Sequence, residues 1–178
     1  MSSISLINAS CADQTADAVV NAANRYLWAG GGICGVIFRR AGVSQLRQAC
    51  AKHHTPLPDG SAVITPAFNL TNVKFIIHAV GPDFSETPDG FSALLDAYYN
   101  SLLLLMDNGL ASISFPLISS GIFGGELPDP PAESAKQCCL AYKKFISNYP
   151  SYDVDVRLCA FTYDEFQSAN RIFDEILG

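Results

Sequence analysis

Two asparagines and two glycine-rich stretches carry the chemistry in this sequence. Asn21 and Asn24 follow the apolar run Ala18-Val19-Val20, and Gly30-Gly31-Gly32 lead into the apolar segment Ile33 to Phe38. A second stretch, Ser119-Ser120-Gly121-Ile122-Phe123-Gly124-Gly125, follows an apolar run that starts at Ile113. A strand, a glycine loop and a helix N-terminus in that order make an anion site. Glycine lets backbone N–H groups approach closely, and the helix end adds partial positive charge. Either loop alone reads equally well as a tight strand-to-helix turn; two together suit a diphosphate held between them. A neutral amide at Asn21 or Asn24 caps or braces the first loop, or hydrogen-bonds a sugar hydroxyl. Phe123, among glycines at a loop tip, is suited to stacking on a ligand.

Charge points the same way. No carboxylate lies between Asp17 and Asp59, whereas Arg25, Arg39, Arg40, Arg47 and Lys52 do, so a locally positive pocket is expected. The chain as a whole has net charge −6 and a pI near 4.8, which argues against holding nucleic acid by general charge. Gly30 to Gly35 formally match G-x-G-x-x-G, but nine residues separate Val20 from Gly30 and no acidic residue for a ribose precedes Asp59. Both departures exclude the dinucleotide fingerprint, and the lack of Gly-Lys-Ser/Thr after Gly121 excludes a P-loop. Cys11, Cys34, Cys50, Cys138, Cys139 and Cys159 form no C-x-x-C pair and no zinc spacing. Reduced thiols, a cytoplasmic location and no metal or cofactor are expected. The N-terminus shows no signal-peptide pattern and Leu102 to Met106 is too short to span a bilayer, so no membrane partner is expected. His78, inside an apolar strand, reads as a core histidine; His53 and His54 read as helix-end surface residues. Cys34, near a helix N-terminus in an arginine-rich segment, reads either as a low-pKa thiolate or as a small apolar filler, the second preferred.

These residues need a scaffold, and the pattern supplies one. Strands are expected at Ser3 to Asn8, Asp17 to Val20, Ala62 to Thr65, Val73 to Val80, Ile113 to Ile118 and Val154 to Phe161. Helices are expected at Ile33 to Ala41, Val43 to His53, from Phe91 to a stop at Asn108-Gly109, after Asp129-Pro130-Pro131, and after the capping box Thr162-x-x-Glu165. Strands alternating with helices over 178 residues indicate one α/β domain, residues 1–178, with a largely parallel or mixed sheet.

Five segments, in order, resemble the macrodomain family: Val20-Asn21-Ala22-Ala23-Asn24; Gly30-Gly31-Gly32-Ile33-Cys34-Gly35; Ile77-His78-Ala79-Val80-Gly81-Pro82; Phe115 through Gly124; and Tyr163-Asp164-Glu165. The resemblance implies a three-layer α/β/α sandwich with a mixed central sheet, and ADP-ribose as ligand. The family includes ADP-ribose readers, hydrolases that remove mono-ADP-ribose from acidic side chains, and deacetylases of O-acetyl-ADP-ribose. Protein mono-ADP-ribosyl hydrolysis is the activity expected here, with mono-ADP-ribosylated proteins as partners and a monomeric enzyme. A non-catalytic reader and an RNA or poly(A) binder are the alternatives.

By the same resemblance, Asn24 holds the distal ribose, with Asn21 nearby. Gly30, Gly31, Gly32, Ile33 and Cys34 contact ribose and phosphates from one side. Ser119, Ser120, Gly121, Ile122, Phe123 and Gly124 wrap the diphosphate from the other, with Phe123 against the distal ribose. Phe161 or Tyr163 borders the adenine. Ser10, with Cys11 beside it, stands where the family usually has an aspartate for the adenine amino group, and Asp13 takes that role only if the loop shifts. Cys34 stands where many cellular hydrolases have an aspartate that assists water, so Asn24 and Cys34 are the candidate catalytic residues. In the hydrolases a phosphate oxygen and loop groups hold the attacking water.

Overall fold

The computed structural model describes residues 1–178. Six strands form one sheet: β1 (Ser3–Asn8), β2 (Ala18–Ala23), β3 (Ala62–Pro66), β4 (Phe75–Val80), β5 (Ser112–Phe115) and β6 (Asp155–Ala160), in the order β1-β6-β5-β2-β4-β3. Every neighbouring pair is parallel except β3 with β4, so the sheet is mixed, with its one antiparallel strand at the edge. The inner strands β2 and β4 are largely apolar and buried on both faces, as a sheet covered by helices on both sides requires. Helices α1 (Gly32–Ala41) and α2 (Val43–Cys50) cover one face. The other face carries α3 (Phe91–Asp107), α4 (Pro130–Asn148) and α5 (Tyr163–Leu177). The result is the expected three-layer sandwich. No helix is long and apolar enough to cross a membrane.

The helix boundaries follow local chemistry. Asp129 caps α4 by accepting from Ala132 N at 3.3 Å, and proline occupies the first turn, where no N–H is needed. In the capping box of α5, Glu165 N donates to Thr162 Oγ1 (3.1 Å) and Thr162 N donates to Glu165 Oε1 (3.0 Å).

Two strands end three residues from the expected position, while β3 and β6 end within one residue of theirs. β5 stops at Phe115 rather than Ile118, because Pro116 has no N–H for the ladder. The Ile118 N–H then donates to Tyr98 Oη at 3.0 Å, and Ser134 Oγ donates to Ile118 O. With Tyr98 Oη and Ser134 Oγ also 2.7 Å apart, α3 and α4 fix the entry to the second glycine loop.

β2 runs on through Ala23, three residues past Val20, and this corrects the reading of Asn21 as a residue at the strand's end. Asn21 pairs with His78 of β4 and is only 1% exposed. Its Nδ2 donates to His78 Nδ1 at 3.1 Å, which puts the ring proton on Nε2, 2.9 Å from Thr65 Oγ1. His78 is therefore the satisfied core histidine expected. Burial first, and His53 second, push its pKa from 6.5 down to about 3. The unfolded chain takes up a proton below about pH 6.5 that the folded chain refuses until about pH 3, so acid favours unfolding across that window. Urea unfolding should show wild type losing up to about 1.4 kcal/mol more per pH unit than His78→Gln as pH falls below 6.5. Parallel pH curves for the two would contradict the neutral buried ring.

Candidate functional site

The parallel strands bring the loops after β1, β2, β5 and β6 to one edge of the sheet. β2 and β5 are neighbours, yet the helix after β2 packs on one face and the helix after β5 on the other. Such a switch point opens a crevice beyond the carboxyl ends of the strands. A cleft of about 770 Å³ lies among these four loops. Ser10, Cys11, Asn24, Gly30, Gly31, Gly32, Ile33, Cys34, Ser119, Ser120, Gly121, Ile122, Phe123, Phe161 and Glu165 are among the residues that line it.

Its anion-binding capacity lies in the backbone. None of the N–H groups of Ala29, Gly30, Gly31, Gly32, Ile33 and Cys34 donates to a backbone carbonyl, and the N-cap Gly31 supplies no side-chain acceptor. The same is true of the five successive N–H groups of Ser119 to Phe123. Two rows of donors left over by the fold, Gly30 to Cys34 and Ser119 to Phe123, thus border one cleft, the first at the positive end of α1. Gly32, at φ +57°, turns the chain into α1. A Cβ on Gly31 or on Gly121 would meet no protein atom within 4 Å, so these two residues leave open space rather than serve packing.

The second loop is held from below. Ser119 sits at φ +59°, unusual for a residue with a side chain, and its Oγ donates to Pro82 O at 2.7 Å. Gly81 makes room for this, since a Cβ there would lie 2.3 Å from Ser119 Oγ. Ser120 Oγ donates to Leu117 O at 2.8 Å, and Phe84 N donates to Phe123 O at 2.8 Å. Both serine hydroxyls thereby give their hydrogens to backbone carbonyls. Ile122, at its tip, is 92% exposed.

The expected source of positive potential is corrected. None of Arg25, Arg39, Arg40, Arg47 and Lys52 lines the cleft. Arg25 is paired with Asp59, and Arg40 with Asp13. These side chains leave α1, α2 and the first loop on the outer side, so only the N–H rows and the helix end remain to meet an anion. Asp13, paired with Arg40, is not among the residues that line the cleft, whereas Ser10 is.

Asn24 is chiefly a brace. Its Oδ1 accepts from Tyr26 N (3.1 Å) and Trp28 N (3.0 Å), and its Nδ2 donates to Trp28 O (2.9 Å). One amide hydrogen remains free at the cleft wall. Leu27, at φ +59°, is buried between Tyr26 and Trp28, whose rings stack outward at 4.6 Å. Cys34 Sγ lies 3.7 Å from Trp28 O as a donor, and its side chain belongs to the apolar layer under α1. At 6% exposure it occupies the place of the small apolar filler.

Three more expected site residues stand elsewhere. Asn21 is in the core, as described. Gly124 lies beneath the second loop: its N–H donates to Gly121 O at 2.9 Å and Pro130 fills the space where a Cβ would go. Tyr163 lies on α5, stacked on Phe166 and outside the lining, so of Phe161 and Tyr163 it is Phe161 that reaches the cleft. Ser10 lines the wall with its Oγ accepting from Ala12 N at 3.3 Å. Cys11, buried beside it, has its thiol pKa pushed far up by burial and by Cys159, so it serves as apolar wall. Glu165 is the one Asp, Glu, Lys or Arg in the lining; the sequence shows it as a helix-capping residue and within the Tyr163-Asp164-Glu165 segment, and neither assigns it to the cleft.

The Macro domain family model matches residues 20–137. The chain is 37% identical to the O-acetyl-ADP-ribose deacetylase of Citrobacter rodentium, over 99% of this chain and 96% of that protein. Its fold matches the Oceanobacillus iheyensis macrodomain with ADP at a TM-score of 0.87 and 31% identity, over 99% of this chain and 92% of that one. It matches the Trypanosoma brucei macrodomain in complex with ADP-ribose at a TM-score of 0.80 and 31% identity, over 94% and 68% respectively. The chain belongs to the macrodomain family.

Proposed function

We propose that the cleft binds ADP-ribose and that the protein hydrolyses the ester linking its distal ribose to an acidic side chain of a modified protein. The two facing rows of unpartnered N–H groups support this reading most directly, because they match a diphosphate and leave a space where side chains are absent. Relatives whose structures hold ADP or ADP-ribose add to it. Water is added across the ribose–carboxylate bond, releasing free ADP-ribose and the carboxylate. No side chain near the first loop is an evident base, so the bound phosphate and the loop groups orient the water, and Asn24 offers its remaining N–H to the ribose. Deacetylation of O-acetyl-ADP-ribose is the second reading, favoured by the name of the Citrobacter rodentium relative.

Single-turnover release from a glutamate-linked mono-ADP-ribosyl protein, run beside release from O-acetyl-ADP-ribose, tests the choice. Turnover of the first substrate is expected. Turnover of the second alone would select the deacetylase reading, and turnover of neither, with ADP-ribose bound, would leave a reader. Cys34→Ala should keep most of the rate, and Cys34→Asp should raise it by placing a carboxylate near the water. Complete loss in Cys34→Ala with affinity intact would contradict a water held without the thiol.

A further inference from the structure

We propose that Glu165 reads the amino group of the bound adenine and so sets base selectivity; this rests on the reading of the cleft as an ADP-ribose site. The donor rows occupy one part of the cleft. The remainder of the wall comes from the loops after β1 and β6, which are adjacent strands in register, Asn8 opposite Ala160. Asn8 Nδ2 donates to Ala160 O (2.9 Å) and Phe161 O (3.2 Å), which locks these loops side by side. Phe161 is apolar yet 73% exposed, and it offers a flat face to a base.

Of the polar groups on this wall, Ser10 Oγ already accepts from Ala12 N, and the Cys11 and Cys159 thiols are weak acceptors. Glu165 differs from them. Its Oε1 accepts from Thr162 N, no lysine or arginine pairs with it, and Oε2 is left without a protein partner. The capping box holds the carboxylate in place before any ligand arrives, so little freedom is lost on binding. An ionised carboxylate accepts strongly from an amino group and offers nothing to a base without one.

Glu165→Gln separates this role from helix capping. Glutamine keeps the capping box, because its amide oxygen takes the Thr162 N–H. That orientation turns the amide NH₂, a donor, toward the base. Titration calorimetry would compare ADP-ribose with its analogue carrying unsubstituted purine in place of adenine. Wild type should prefer ADP-ribose by about tenfold or more, and Glu165→Gln should reduce the preference to within about threefold. An unchanged preference in Glu165→Gln, or an equal loss of both ligands by a variant with wild-type circular dichroism, would overturn the assignment. So would tight ADP-ribose binding by wild type with no adenine preference. Failure of wild type to bind ADP-ribose at all would overturn the reading of the cleft itself, and this assignment with it.

Discussion

Gly121→Glu is expected to eliminate measurable ADP-ribose binding while the protein stays folded. A Cβ at Gly121 would meet no protein atom within 4 Å and φ there is −89°, so the backbone accepts a side chain that leaves toward the cleft. The space it enters is the space assigned to the diphosphate, in the middle of the Ser119 to Phe123 donor row. A carboxylate about 4 Å from one phosphate charge costs roughly 4 kcal/mol at an effective dielectric constant near 20, which is close to a thousandfold in affinity. The side chain also hinders access to the N–H groups around it. Adenosine carries no phosphate, so its affinity should fall by much less. Calorimetry with both ligands reads the difference, and equal losses would point to a damaged loop rather than to an excluded diphosphate.

Asn24→Ala is expected to slow hydrolysis about 30- to 1000-fold, the effect of losing roughly 2–4 kcal/mol of transition-state stabilisation. Two consequences of the substitution act together. The free amide hydrogen at the cleft wall is lost, and so are the three hydrogen bonds that hold Tyr26 and Trp28. Trp28 O also receives the Cys34 thiol, so the brace extends into the first turn of α1. The loop should therefore loosen where the first donor row begins, and ADP-ribose affinity should weaken alongside the rate. Single-turnover rates with affinities measured in parallel resolve the two contributions. An unchanged rate would leave Asn24 as a loop brace with no part in the reaction.

Local signals made much of this molecule legible in the sequence. Asn108-Gly109, Asp129-Pro130-Pro131 and Thr162-x-x-Glu165 mark helix ends through backbone geometry and capping, which act over a few residues. The two glycine loops were legible for the same reason, since each lies between a strand and the next helix. What required the fold was the direction in which side chains leave their elements. Asn21 looks like the polar residue that ends a strand, but its partner His78 is brought opposite it only by the β2–β4 register. The arginines between Asp17 and Asp59 share a stretch of sequence with the first loop, yet helical geometry turns them outward to Asp59, Asp13 and solvent. Glu165 had a local explanation as a capping residue, and although it belongs to the Tyr163-Asp164-Glu165 segment, only the closure of β6 against β1 shows that it borders the cleft.

The central claim is that the leftover N–H groups of the Gly30 to Cys34 and Ser119 to Phe123 segments hold the diphosphate of ADP-ribose. Titration calorimetry of the wild-type protein with ADP-ribose, set beside ATP and NAD, tests it most directly. Saturable one-to-one binding of ADP-ribose, stronger than that of ATP or NAD, is the predicted result. No heat of binding with ADP-ribose, under conditions where the protein is folded, would contradict it.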